Sequence, residues 1–464
     1  MNLDDKLRQA FPGRVLNKRL TQSQLFNKVP RYVTEYLLAK FAPDGDDAGV
    51  QKVKTLLTER FPGEERAEEV KDQLLKKGRY IVVDRLTVRT DLNAGEWTGS
   101  ITSLGGQSLT ISRDLTAKHL GVLAGLWGTI ALRYDGGSHS VSVEDFVPFQ
   151  VKGGDLPAFT TGRAHFTEDE WLDVILRSVG LNPNSMSRRL KLLYLVRLSP
   201  LVETNLNTIE IGPRNTGKTF LLRNTSPRAY VISGGKATAA TLIFHRVTQQ
   251  PGLILTQHAV IFDEVAKTTW SDDTLVSLLK DYMESGTVGI GTKTLTGSAG
   301  LVFLGNSEHP QDPLSRALPK ALQNDSAFLE RIHAALPAWD FPKITPSLLC
   351  GDYGLVVDYL AEAFKELRGF SFDLPDRSWM PLGLTTRDER AVTRLYSGMA
   401  KLLYPDERVP EGTARELVAL ALELRGRVFN EQRRINPQEY PERSFLPVWP
   451  VVSAPESLGE AVVV

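Results

Sequence analysis

A chain of 464 residues, 42% of them hydrophobic, is long enough for roughly two to four domains with buried cores. Lys plus Arg and Asp plus Glu balance at 55 each, which excludes a histone-like polycation, and the single cysteine, Cys350, excludes an internal disulfide and, without Cys or His pairs at ligand spacing, a structural zinc site. No apolar run reaches about 18 residues, and MNLDDKLRQAF lacks a secretory layout, so the expected setting is cytoplasmic, with no membrane partner.

Residues 1–78 read as helices with a basic front. The first 40 residues carry eight Lys or Arg against three acids, a surface suited to phosphates. VTEYLLAKF places Val33, Tyr36, Leu37 and Phe41 on one helical face, and AEEVKDQLLKKG stops at Gly78. Over 79–155 the pattern changes to YIVVDRLTVRT, EWTGSITSL, SLTIS, LWGTIALRY and VSVEDFVPF, short β-branched and aromatic segments divided by turn residues. They predict a small β-barrel of the OB type, a frequent nucleic-acid platform. Thr167–Glu170 forms a capping box for a helix whose stripe is Trp171, Leu172, Ile175, Leu176 and Val179. From 156 to 344 strands and helices alternate as in a parallel sheet flanked by helices. Residues 345–435 return to helical patterns, and 436–464, with five prolines and no periodicity, read as an extended tail. The fold class is multidomain α/β.

GPRNTGKT matches G-x-x-x-x-G-K-[ST] and stands between a strand, TIEI, and a helical FLLRN. The loop Gly212, Pro213, Arg214, Asn215, Thr216, Gly217, Lys218 and Thr219 is expected to wrap the phosphates of ATP. Lys218 neutralises the β and γ charges, and the Thr219 hydroxyl reaches Mg. AVIFDEV delivers two carboxylates to the end of a buried strand, with Asp263 assigned to the metal and Glu264 to the attacking water. GLVFLGN ends in Asn306, which is expected to orient that water. Phosphoryl transfer also gains from an arginine aimed at the γ-phosphate, often from a neighbouring subunit. Arg331 in DSAFLERIHAAL is assigned that part. A second arginine is expected to close over the nucleotide from TTRDERAVTR, with Arg387 first and Arg390 and Arg394 behind it.

The order GPRNTGKT, SGGKAT, FDEVA, YMESGTVGIGTKTLTGSAGLVFLGN, DSAFLERIH resembles BrxL, the Lon-like AAA+ ATPase family of BREX phage-defence systems. The likeness runs from FPGRV and PRYVTEYLLAKF to the C-terminal helices, and the core is similar, more distantly, to the Lon and minichromosome-maintenance branches of AAA+. The resemblance implies an AAA+ core with a helical lid over 345–435. It further implies a homo-oligomeric ring, a hexamer or heptamer or a stacked double ring, that binds duplex DNA through its pore, with other BREX proteins among its expected partners. YMESGTVGIGTKTLTGSAGLVF reads as two strands joined around Gly291, Thr292 and Lys293. By likeness to related helicases, Lys293, with Thr292 beside it, is expected to touch the DNA backbone. The family also resembles Lon in a C-terminal protease-like domain. Residues 436–464 leave no room for one, so a short form without protease activity is expected, and Gly297–Gly300 is read as a packed turn rather than a nucleophile loop. A protein-remodelling ATPase of Lon-like type and an ATP-gated DNA-binding scaffold are the competing readings. The absence of an aromatic between Thr287 and Leu301 favours nucleic acid over polypeptide in the pore.

Overall fold

The computed structural model describes residues 1–43, 45–91, 95–119, 122–123, 125–149, 155–245, 249–270 and 273–449; residues 450–464 of the expected tail lie outside them. Asn2 caps the first helix, Leu3–Ala10, by accepting the Asp5 N–H at 2.8 Å. Leu7 of that helix and Phe11 beyond it enter the apolar cluster that contains Trp171 and Tyr359, far along the chain. Gly162 makes space for this: a Cβ there would lie 2.3 Å from the Phe11 ring. The short strand Val15–Asn17 then pairs antiparallel with Tyr353–Leu355. The chain's first 17 residues thus pack with its second half, while the helices Arg31–Phe41, Asp47–Arg60 and Ala67–Lys77 follow outside that core. Gly78, at φ 69°, ends the last of them in the left-handed conformation that favours glycine.

Five strands, Arg79–Asp91, Glu96–Ser100, Leu109–Ile111, Leu126–Asp135 and Ser140–Pro148, close into a barrel. The third runs parallel to the fifth, and the other neighbours are antiparallel. Alternation turns Val82, Leu86, Val88, Ile130, Leu132 and Phe146 inward. The interior is tight: a Cβ on Gly128 would lie 2.5 Å from the Phe146 ring.

The second half is built on a five-stranded parallel sheet in the order Ala334–Ala335, Thr208–Gly212, Gly300–Asn306, Ala259–Asp263, Ala229–Ser233. Both faces are covered, so its strands are almost continuously apolar. Ile261 and Leu304 join one cluster with the helices Glu168–Ser178 and Arg188–Leu198, while Val260 and Phe303 join another with Tyr282 and Phe328. Phe262 and Phe303 stack on the latter face with centroids 5.2 Å apart.

The helices Val357–Leu367, Thr386–Leu403 and Glu411–Ile435 complete the first of these clusters. Beyond them the described part of the C-terminal segment is extended but held down. Phe445 packs on Phe429 at 5.2 Å, Trp449 on Trp379 at 5.7 Å, and the Val448 N–H donates to the Trp379 carbonyl at 2.9 Å. Among the described residues no helix is long and apolar enough to cross a membrane.

Candidate active site

The strand Thr208–Gly212 ends at the carboxyl edge of the sheet, and the helix Lys218–Thr225 starts from the same place. The turn between them depends on three backbone positions. A Cβ on Gly212 would lie 2.4 Å from Ala338, while Asn215 at φ 66° and Gly217 at φ 74° adopt the left-handed conformation that redirects N–H groups inward. Gly217, as N-cap, offers no side chain, so the first N–H groups of the helix stay available for an anion. Lys218 is buried, and its Nζ donates to the Gly212 carbonyl at 3.2 Å and the Pro213 carbonyl at 2.6 Å. Burial lowers its pKa; Glu210 and Asp263 nearby act the other way.

Two further strand ends meet this loop. Asn306 closes Gly300–Asn306 and stands in register with Gly212. The next strand over, Ala259–Asp263, ends in Asp263, whose Oδ1 accepts the Glu264 N–H at 3.0 Å. Glu264 follows at φ 49° and pairs with Lys267 at 3.0 Å. The sheet therefore brings Gly212–Thr219, Asn306, Asp263 and Glu264 to one edge. Among the described residues no cluster of three or more His, Cys, Asp or Glu side chains is shaped for a metal ion. A carboxylate and a hydroxyl, Asp263 and Thr219, are all-oxygen donors that fit Mg only when nucleotide oxygens and waters complete its shell.

Arg331 and Arg387 lie elsewhere. Arg331 precedes the strand Ala334–Ala335 and Glu284 ends the helix Asp273–Ser285, both at the amino edge of the sheet, opposite the phosphate loop. The Arg331 Nε donates to the Lys280 carbonyl at 2.8 Å and its Nη1 to the Ala327 carbonyl at 2.7 Å. Arg387 binds Glu284 at 2.9 Å and also pairs with Glu330, and Arg390 reaches Glu284 at 3.5 Å. Arg394 donates to the Asn205 carbonyl at 2.8 Å, at the same edge. The expectation that Arg387 closes over the nucleotide is therefore not met within one chain. Its carboxylate partners, Glu284 and Glu330, hold it beside Arg331 at the amino edge.

Lys293 and Thr292 occupy an antiparallel hairpin formed by Thr287–Ile290 and Lys293–Thr296, turned at Gly291 (φ 59°). Both are exposed. The Lys293 Nζ donates to the Gln249 side chain at 2.9 Å and sits 5.0 Å from the Phe244 ring. The turn Gly297–Gly300 packs: a Cβ on Gly297 would lie 2.5 Å from the Ile254 carbonyl oxygen, and the Ser298 carbonyl accepts from Arg368 at 2.5 Å.

One pair at the site escapes a reading along the chain. Arg197, in the helix Arg188–Leu198, donates to Glu210 at 2.9 Å and to the Thr216 carbonyl at 3.1 Å. Both side chains are 3% exposed, and the guanidinium lies 3.4 Å from the centroid of Phe341. The signal was present as an acid inside TIEIG and an arginine inside LLYLVRL, each out of place alone.

Residues 141–446 match the family model described as "Lon-like protease BrxL-like, ATPase domain", and residues 9–134 match "BREX system Lon protease-like protein BrxL N-terminal". Over 463 residues the chain is 34% identical to a "Lon-like protease BrxL" of Bacillus cereus (strain H3081.97), covering 96% of this chain and 68% of the relative. It is also 34% identical over 462 residues to a "Lon-like protease BrxL" of Escherichia coli O9:H4 (strain HS), covering 96% of this chain and 66% of that one. The chain belongs to the BrxL family. It spans about two thirds of the length of these relatives. The BrxL ATPase model contains the phosphate loop, the acid-tipped strand, the Asn306 strand and both arginines, so ATPase chemistry is the family-level activity of this region.

Proposed function

We propose that this BrxL family chain is an AAA+ ATPase that assembles as a homo-oligomeric ring, engages duplex DNA through its pore and couples ATP hydrolysis to that engagement in BREX anti-phage defence. Asp263 and Thr219 would hold Mg, which would supply neutralisation of the phosphate charge. Lys218 holds the phosphates, Glu264 polarises the attacking water and Asn306 orients it. The helices beyond Val357 act as the lid, and the barrel over 79–148 as an OB-like accessory platform.

The observation that carries this reading is the division of the machinery between two edges of one sheet. Phosphate loop and acids stand at the carboxyl edge, Arg331 and Arg387 at the amino edge. A head-to-tail contact sets one edge against the next subunit's other edge, and repeated with a rotation that closes it makes a ring. The exposed Lys293 hairpin is the DNA-facing element, a point charge for phosphate.

The test is DNA binding as a function of salt in the presence of ATP. A steep loss of affinity with rising salt is expected, with Lys293→Ala weakening binding and reducing the salt slope by about 1 per subunit engaged. Absence of salt-sensitive DNA binding in every nucleotide state overturns the proposal. A second reading, protein remodelling, draws on Phe244: the hairpin has no aromatic of its own, but Phe244 stands beside Lys293. ATP-driven unfolding or degradation of casein would favour it.

A further inference from the structure

Three arginines converge on one carboxylate at the amino edge of the parallel sheet. Glu284 accepts from the Arg387 Nε at 2.9 Å and stands 3.6 Å from the Arg331 Nε and 3.5 Å from the Arg390 Nη1. Its backbone carbonyl accepts from the same Arg390 nitrogen at 3.1 Å. Glu330 is the second acid and pairs with Arg387. Three guanidiniums thus share two carboxylates, and the positive surplus suits an incoming anion.

The same residue stands at the root of the Lys293 hairpin. Glu284 lies in the last turn of the helix Asp273–Ser285, and only Ser285 and Gly286 separate it from the strand Thr287–Ile290. The junction has little slack. Gly286, at φ 73°, donates its N–H to the Tyr282 carbonyl at 2.7 Å and accepts from the Gly297 N–H at 2.9 Å, which closes the base of the hairpin. The Thr287 N–H donates to the Ser285 hydroxyl at 3.1 Å. In the same stretch of helix the Lys280 carbonyl accepts from Arg331 at 2.8 Å, and the Tyr282 hydroxyl donates at 2.8 Å to the Ala299 carbonyl, next to the strand that ends in Asn306. A rotation of this turn therefore moves the arginine cluster and the hairpin together.

We propose that Glu284 is a latch between the neighbouring subunit's nucleotide and the DNA hairpin: it holds Arg331 and Arg387 while that nucleotide is absent and yields them to its γ-phosphate, which frees the turn that carries the hairpin. The assignment rests on the ring reading above and gives it a means of coupling. A phosphate takes a guanidinium in the bidentate geometry that a carboxylate uses and carries more charge, so the two acceptors compete for the same arginines. Linkage makes the effect reciprocal: if the freed turn changes DNA affinity, DNA changes the neighbour's nucleotide affinity by the same factor.

The experiment measures the affinity of the whole chain for a DNA duplex, without nucleotide and with a slowly hydrolysed ATP analogue, and follows assembly by sedimentation. In wild type the two affinities are expected to differ about fivefold or more. Glu284→Gln keeps the shape and removes the charge, and Glu284→Ala removes the side chain from a helix turn where it is 29% exposed, so both variants are expected to fold. Each is expected to bind DNA without nucleotide as wild type does with the analogue, and to change less than about twofold when the analogue is added. Variants that keep the wild-type difference overturn the proposal, as does a wild type that binds DNA equally in both states. Variants that bind DNA more weakly than wild type in either state assign Glu284 to the fold of the hairpin and also overturn it. A wild type that forms no ring, or binds no DNA in any state, is the failure of the ring reading itself, and these two controls tell that failure apart from the failure of the latch.

Discussion

At position 197 an arginine lies in an otherwise buried helix, and its guanidinium must find its counter-charge in the interior. Glu210 supplies it from the middle of the strand that ends in the phosphate loop, and the remaining N–H groups go to the Thr216 carbonyl and over the Phe341 ring. The pair therefore sets the height of the loop backbone against the sheet. A buried ion pair contributes little against an apolar pair of equal volume, but losing one partner strands the other's charge. Arg197→Met is expected to cost about 3–5 kcal/mol in denaturant unfolding and to raise the KM for ATP. Arg197→Met combined with Glu210→Leu should recover most of the stability and little of the ATP affinity, because the bond to Thr216 stays lost.

Between elements, the same logic binds the N-terminal segment to the rest. Lys18 is wholly buried and donates to Glu35 at 2.6 Å and to the Leu355 carbonyl at 2.6 Å; Glu35 also accepts from Arg31 and from the Val357 N–H at 2.9 Å. One carboxylate thus joins the strand Val15–Asn17, the helix Arg31–Phe41 and the start of Val357–Leu367. Burial lowers the Lys18 pKa to about 8, with Glu35 opposing the fall. Burial also pushes the Glu35 carboxyl up, but Lys18 and Arg31 outweigh it and hold it below the usual 4.5. A carboxyl with a lower pKa folded than unfolded contributes stability above its unfolded value, and the contribution is lost as pH falls through the folded one. Acid unfolding should therefore steepen below about pH 4.5. Glu35→Gln is expected to cost about 3 kcal/mol at pH 7 and to flatten that acid limb in a pH series of denaturant midpoints.

For the whole molecule, the separation of Arg331 and Arg387 from the phosphate loop makes the site a property of an assembly under the proposed ring. Glu284 holds Arg331 at 3.6 Å and Arg387 at 2.9 Å, a paired cation presented at one edge. Lys218→Ala and Arg331→Ala should each lower ATP turnover by about 10³-fold. Mixed in equal amounts, they should regain about a quarter of the wild-type rate, since random neighbours rebuild one intact interface in four. Steady-state hydrolysis of the mixture checks this; no recovery, with mixed assembly confirmed by sedimentation, removes the shared site.

The phosphate loop, the acids of FDEV and the strand ending in Asn306 were legible because each is local. Glycine's φ freedom, the unbroken apolar run of a strand buried on both faces and a carboxylate at its end are written in five to eight consecutive residues, and the parallel sheet then has to gather such strand ends at one edge. The five strand-like segments of 79–155 were legible for the same reason, as was the hairpin around Gly291. Arg387 could not be placed from its helix, because its position is set by Glu284 and Glu330, 103 and 57 residues away. Nor could Lys18 and Glu35, whose charges make sense only once Leu355 and Val357 close over them. Charge pairing and burial act between residues distant along the chain, so the partner of each buried charge became visible only when the fold had brought the two together.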